Sequence, residues 1–117
     1  MTDIYTHAVE LASVLGIPEG AVADGVYLGR ADRYLVYTST AEPIHYGDDE
    51  PQVDRYAVYI NIYVPLSENY TSWLKTARLT MEAQGYDDVT YEGQTVDIDD
   101  NKRHIVLNGL YDITREE

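Results

Sequence analysis

The run from Tyr56 to Gly85 constrains the fold more than any other part of the chain, because a strand pattern passes directly into a helix pattern. Its first nine residues, YAVYINIYV, alternate with a period of two and carry bulky side chains on both faces, which is typical of a central strand. Pro65 ends this strand, and Ser67 is a suitable N-cap for a helix that continues to about Gln84. Gly85 supplies the helix stop. This order of elements predicts a small α+β domain.

Apolar residues at helical spacing predict two amphipathic helices. The first runs from Asp3 to Leu15 and ends at Gly16. Its apolar face is expected to consist of Ile4, Ala8, Leu11, Ala12 and Leu15. The buried stripe of the second helix is expected to consist of Tyr70, Leu74, Ala77 and Met81, with Trp73 beside them.

Four segments with strand character accompany the helices. We expect strands at Arg33–Thr40, Asp54–Val64, Thr90–Ile98 and Arg103–Thr114, and a further short strand is possible at Gly25–Leu28. The predicted order is therefore α-β-β-α-β-β. Separate helices and antiparallel hairpins indicate a single α+β domain over residues 1–117, with a mostly antiparallel sheet packed by two helices.

A long acidic segment at about residues 41–55 joins the first two of these strands. It reads AEPIHYGDDEPQVDR, and its proline and glycine content indicates irregular backbone, with the tip at Gly47 to Pro51. We interpret it as an extended hairpin arm. Long ordered loops in compact domains often carry contacts, so the arm is a candidate interaction segment. A plain surface loop is the alternative.

Charge and composition exclude several classes of function. The chain has 117 residues and a net charge of −13, from 21 acidic and 8 basic side chains. Because nucleic-acid binding relies on Lys and Arg to neutralise phosphates, specific DNA or RNA recognition is not expected. Cysteine is absent, which excludes disulfides and thiolate metal sites. No apolar run is long enough for a membrane span, and the start, MTDIYTHAVELASVLG, lacks the basic segment of a signal peptide.

No motif predicts catalysis, a cofactor or a metal site. His7, His45 and His104 are far apart in sequence and show no metal-binding spacing. The acidic turn at residues 97–101 lacks the spacing, glycine and final glutamate of a calcium loop, and no GxSxG motif is present. The twelve tyrosines, set against no phenylalanine, suit half-buried strands and interfaces, although strand propensity alone also accounts for them. An enzyme would require the histidines and acidic residues to meet in one pocket.

Four segments together resemble the tail terminator, or tail completion, proteins of long-tailed bacteriophages, also known as minor tail or head–tail joining proteins. They are the N-terminal helix, YLVYTSTAEPIHYGDDEPQVDRYAVYINIYVP, ENYTSWLKTARLTMEAQGY and the closing hairpin with KRHIVLNGLYDI. These segments span most of the chain, and none is a catalytic signature. The resemblance implies a structural virion protein that lacks enzymatic activity and needs no cofactor or metal.

The resemblance also implies partners and a location. Subunits would form a six-fold ring on the head-proximal end of the tail tube, after assembly in the host cytoplasm. The ring would end tube polymerisation and join the head–tail connector protein, while DNA passes through its lumen without specific binding. The candidate interface consists of Tyr46, Asp48, Asp49, Glu50, Arg55, Tyr59 and Tyr63. The alternatives are a head-side connector or stopper protein and a monomeric phage-encoded binding module.

Overall fold

The computed structural model describes residues 3–44, 53–67, 70–98 and 101–114. Two α-helices, a short 3-10 turn and five strands are found in these ranges. In chain order they are α1 (Asp3–Val14), the 3-10 turn (Glu19–Ala21), β1 (Val22–Asp24), β2 (Tyr34–Ile44), β3 (Val53–Pro65), α2 (Tyr70–Ala83), β4 (Asp87–Asp97) and β5 (Lys102–Thr114).

The five strands form one sheet in the order β1-β2-β3-β5-β4. β1 runs parallel to β2, and every other neighbouring pair is antiparallel. The fold class predicted from sequence, an α+β domain with a mostly antiparallel sheet and two helices, is therefore confirmed. The element order differs from the prediction because β1 adds a strand between the first helix and β2.

The short strand was predicted in the wrong place. It occupies Val22–Asp24, whereas Gly25–Leu28 contains no strand. Gly25 has a φ of +87°, in the left-handed region, which turns the chain away from the sheet directly after Asp24. At this end of the β1–β2 pairing, the Gly25 amide donates a hydrogen bond to the carbonyl of Tyr37.

Both helices end in the same way, and the predicted glycines explain why. Gly16 and Gly85 have φ values of +79° and +102°, which glycine adopts without steric cost. The amide after each glycine bonds to a carbonyl five residues back, Ile17 to Ala12 and Tyr86 to Met81. This is the Schellman arrangement, and the residue after each glycine is buried in the core.

The core lies between the two helices and one face of the sheet. Leu35 and Tyr37 of β2, with alternate residues of β3 and β5, point toward the helices and are buried. The β3 and β5 residues are Val58, Ile60, Ile62, Val64, Ile105 and Leu107. α1 contributes the predicted apolar face, from Ile4 through Leu15. In α2, Ala77 and Met81 are buried, while Trp73 and Leu74 are half-buried against the core.

The sheet continues beyond the predicted strand ends and into the segment that we interpreted as an arm. β2 extends through Ile44, and its residues pair with β3 back to Val53. β1 pairs only with residues 35–37 of β2, so the later part of β2 is an edge strand on that side. Pro43 is tolerated there because an edge strand does not need every amide to donate to a neighbouring strand. The predicted arm tip lies outside the described residues.

Candidate interface on the open face of the sheet

The side of the sheet that points away from α1 and α2 is called here the open face. α1 contacts β1 and β2, and α2 contacts β4 and β5, so both helices lie on the opposite side. Strand register shows which residues share the open face. Five rows across β2, β3 and β5 share this face: Tyr34–Tyr63–His104, Val36–Asn61–Val106, Thr38–Tyr59–Asn108, Thr40–Ala57–Leu110 and Glu42–Arg55–Asp112.

Four rings stack in a continuous row along one end of the open face, which we call the aromatic ladder. Tyr27, from the loop after β1, stacks on Tyr34 with ring centroids 4.6 Å apart. Tyr34 stacks on Tyr63 at 4.5 Å, and Tyr63 stacks on His104 at 4.3 Å with only 10° between the ring planes. The ladder forms because residues directly opposite each other on adjacent strands bring their side chains together.

His104 is held in a defined hydrogen-bonding state by Asn61. Asn61 donates its amide Nδ2 to the carbonyl of Val36 at 3.2 Å, which leaves its Oδ1 as an acceptor. Nε2 of His104 lies 2.8 Å from that oxygen and therefore carries the proton. Burial lowers the pKa of His104 below its usual value of 6.5 and raises the pKa of Tyr63. Both effects favour the neutral forms of these two ladder residues.

A shallow pocket of about 280 Å³ lies beside the ladder, between β3, β5 and the edge strand β4. Tyr59 and His104 form part of its wall, and Gly93 lies opposite Val106 at a β-bulge. Gly93 has a φ of +132°, and an added Cβ would meet nothing within 4 Å. Its absent side chain leaves the pocket open. Asn108 donates a hydrogen bond to Glu92 at the rim.

The opposite end of the open face is charged. Arg55 of β3 donates from Nε and Nη2 to the two carboxylate oxygens of Asp112 on β5, at 2.8 and 3.0 Å. These hydrogen bonds from Arg55 lower the pKa of Asp112. The open face therefore has the aromatic ladder near one end and the Arg55–Asp112 ion pair near the other, which gives a contacting surface a defined orientation.

Three of the candidate interface residues share the open face, spread along β3 from its charged end to the ladder. Tyr59 is exposed at 41%, Tyr63 is half-buried in the ladder, and Arg55 is paired with Asp112. Tyr46, Asp48, Asp49 and Glu50 lie outside the described residues. The role of all seven as interface residues stays a prediction.

Sequence reasoning missed the ladder itself. Its members come from a loop and three strands, and neither Tyr27 nor His104 had a motif around it. The period-two pattern of β2, β3 and β5 placed the strand residues on faces, but only the register makes them neighbours.

The histidines and acidic residues of the described part of the chain form no metal-binding cluster. No group of three His, Asp or Glu side chains suited to a metal ion occurs in these ranges. His7 lies on the helix side, where Nδ1 is 3.2 Å from the Tyr86 hydroxyl and its ring packs edge-on to Tyr111. His104 lies on the open face, so the sheet separates these two histidines. None of the described helices combines the length and apolar character needed to cross a membrane.

In comparisons with known proteins, no family model matches the chain and no curated protein matches it. The functional conclusion therefore depends on the geometry described above and on the resemblance stated from the sequence.

Proposed function

We propose that this chain is a structural subunit of a bacteriophage tail terminator ring. In this role it caps the tail tube at the head-proximal end, stops tube polymerisation and forms the surface that joins the head–tail connector protein. It acts by binding, without catalysis or a cofactor, and assembles in the host cytoplasm before it becomes part of the virion. We also infer that residues 45–52 complete a hairpin between β2 and β3, which is the acidic arm expected from the sequence.

The observation that carries this proposal is the extension of the sheet past its helix layer. Thr38 through Pro43 of β2 are all exposed. Ser39, Ala41 and Pro43 belong to the helix side by register, so α1 and α2 do not reach this part of the sheet. A sheet normally buries at least one face against another layer. In a ring, a neighbouring subunit would supply that layer.

The open face supports the same conclusion. Tyr59 exposes 41% of its surface between the neutral ladder and the Arg55–Asp112 pair. Tyrosine is enriched at protein interfaces because it combines a large apolar ring with a hydroxyl group that tolerates water. A surface with aromatic and charged ends suits a heterologous contact, which closes a ring when the rotation between subunits is correct.

The charge of the chain fits a channel that DNA passes through. A net charge of −13 repels phosphates, so an acidic lumen would let DNA slide without binding to the wall. A head-side connector or stopper protein would face the same requirement, and binding to isolated tail tubes distinguishes the two. A monomeric binding module would have no need of the uncovered extension.

The test is the native mass of the purified chain by light scattering on a sizing column. Six copies of the 13.3 kDa chain would give about 80 kDa. The measurement should cover a range of protein concentrations, with and without magnesium to screen the acidic charge. We expect the ring to appear as concentration rises, and electron microscopy should then show a particle with a central channel.

A matched pair of variants locates the contact. Ala41→Arg places a long charged side chain on the helix side of the extension, whereas Val14→Arg does the same on α1, where Val14 is 57% exposed. Both sites are exposed, so neither change should unfold the chain. We expect Ala41→Arg to abolish the ring and Val14→Arg to leave it intact. Equal masses for the two variants, or a strict monomer that also ignores tail tubes, would contradict the proposal.

A further inference from the structure

A groove of about 580 Å³ lies on the helix side of the domain, between α2 and the edge strand β4. Its walls include Leu74 and Leu79 of α2 and Tyr91 of β4, and Leu107 forms a buried floor. Leu79 is 55% exposed and Tyr91 is 40% exposed. This volume is within the range of sites that enclose a ligand or a few side chains.

Two of the eight basic residues of the chain line this groove, together with one acidic residue, Glu82. Lys75 and Arg78 lie on α2 and are exposed. Arg78 contacts Glu82 through a 3.4 Å bridge of the i,i+4 type, which in an exposed position contributes little and exchanges readily for another carboxylate. Groups within the same chain already contact several of the other bases: Arg33 lies over Trp73, Arg55 bonds to Asp112 and Arg103 bonds to Gln94.

An apolar groove with basic residues calls for a partner segment with the opposite pattern. The chain contains one such segment, Tyr46-Gly-Asp-Asp-Glu50, in which an aromatic residue precedes three consecutive acids. Tyr46 would enter between Leu79 and Tyr91, while the acids would meet Lys75 and Arg78. Complementary charges of this kind fix the register of a contact and its choice of partner.

Tyr46 cannot reach the part of the groove at Tyr91 and Leu107 in its own chain. Tyr91, Leu107 and Ile60 lie in one row across the sheet, whereas β2 and β3 end at Ile44 and Val53. Ile60 is seven residue steps from Val53, a distance of about 23 Å along β3. The connection of residues 45–52 reaches at most four residues, or about 14 Å, from either strand end. Only a second copy can therefore place Tyr46 between Leu79 and Tyr91.

We propose that residues 46–50 of one copy of this chain bind the groove between α2 and β4 of the next copy, with Lys75 and Arg78 contacting the acidic side chains. This inference rests on the proposed ring and names the contact that would build it. The arm and the groove are different surfaces, so the contact is heterologous and can continue from subunit to subunit until a ring closes.

A peptide experiment tests the groove independently of ring formation. The probe is a fluorescently labelled peptide of residues 43–54, PIHYGDDEPQVD, titrated with the full chain and followed by anisotropy. Using the Asp48→Asn/Asp49→Asn/Glu50→Gln chain as receptor removes competition from the arms of other copies. We expect binding that weakens as NaCl is raised. Lys75→Glu/Arg78→Glu in that receptor should weaken it by about tenfold or more.

The control and the charge swap make the result specific. Arg30→Glu/Lys102→Glu changes the net charge equally but lies outside the groove, so it should alter peptide affinity by no more than about twofold, a small effect on the free-energy scale. A peptide with lysines in place of the three acids should bind the Lys75→Glu/Arg78→Glu receptor more tightly than the receptor that keeps Lys75 and Arg78. Equal affinities of the acidic peptide for both double variants, or no binding, would overturn the inference.

Light scattering separates this inference from the proposed function. If the wild-type chain forms a ring and Lys75→Glu/Arg78→Glu forms the same ring, the groove contact is wrong while the ring stands. If the peptide binds the groove but the wild-type chain stays monomeric and does not bind tail tubes, the groove contact stands and the ring proposal fails.

Discussion

Nε2 of His104 on β5 donates a hydrogen bond to Oδ1 of Asn61 on β3, with 2.8 Å between the two atoms. The same imidazole lies flat on Tyr63, with 4.3 Å between ring centroids. His104 therefore joins the aromatic ladder to the polar side chain of Asn61 in the next row of the open face. Because partial burial disfavours the charged ring, protonation of His104 should act against the folded state.

We predict that His104→Gln reduces the pH dependence of stability on the acidic side of neutrality. The unfolded chain titrates His104 near pH 6.5, whereas the folded pKa is lower. Between these two values the unfolded state binds more protons, so stability is complete above about pH 6.5 and falls as the pH drops toward the folded pKa. Urea unfolding of both proteins between about pH 5 and 8 measures this. Parallel curves for wild type and variant would contradict it.

The ion pair at the other end of the open face should contribute little to stability. Side chains of Arg55 and Asp112 are 42% and 37% exposed, so solvent screens their attraction. A double-mutant cycle of Arg55→Gln and Asp112→Asn should give a coupling energy of about 0.2–1 kcal/mol. High salt should reduce it. A much larger loss of assembly than of folding stability in Arg55→Gln would support its predicted place in the interface.

Local chemistry made much of this fold predictable from sequence. Gly16 and Gly85 mark helix ends because few other residues adopt their positive φ values. Strand β3 was assigned to its two faces correctly because alternation with a period of two follows from strand geometry alone. The faces of α1 and α2 follow helical spacing in the same way.

The remaining features depend on tertiary pairing and left no local pattern. β1 has only three residues and is a strand because it pairs with residues 35–37 of β2. The ladder requires the register of three strands, and the groove requires α2 to lie beside β4. Pro43 suggested irregular backbone, yet an edge strand accommodates it. The candidate interface residues are of types suited to contacts, but the sequence does not show which neighbours they meet.

We predict that Gly109→Ala destabilises the core, although Gly109 is in an ordinary strand position. An added Cβ would lie 3.2 Å from Cβ of Tyr86 and 3.3 Å from Cε of Met81. Met81 can move its flexible end, but the Cβ of Tyr86 is fixed to the backbone. Overpacking of this kind costs about 1–3 kcal/mol. The free energy of unfolding in urea measures the effect.

The matched control for this change is Gly20→Ala. An added Cβ there meets nothing within 4 Å. Its free energy of unfolding should change by less than about 0.5 kcal/mol. If both alanine variants were equally stable, the space around Gly109 would have to be looser than the distances to Tyr86 and Met81 indicate.

We predict that Tyr27→Phe keeps the ladder but weakens the loop after β1. The ring still stacks on Tyr34, whereas the hydroxyl that accepts a hydrogen bond from the Ala31 amide at 3.1 Å is lost. The cost should be about 0.5–1.5 kcal/mol. Hydrogen exchange of the Ala31 amide should become faster, while the core amide of Ile62 should change only as far as global stability does. Unchanged exchange at Ala31 would show that the hydroxyl does not hold the loop.

Gly29→Ala should remove Tyr27 from the ladder altogether. An added Cβ at position 29 would overlap the Tyr27 ring, with Cε1 at 2.8 Å. The ring cannot easily move aside, because Tyr34 stacks on one of its faces and Ala31 bonds to its hydroxyl. We expect Gly29→Ala to destabilise the wild-type chain and to have a much smaller effect in a Tyr27→Ser background, where the overlapping atoms are absent. Unfolding free energies of the four proteins give the coupling between the two positions. Equal effects of Gly29→Ala in both backgrounds would show that the backbone at residue 29, rather than the Tyr27 ring, determines the cost.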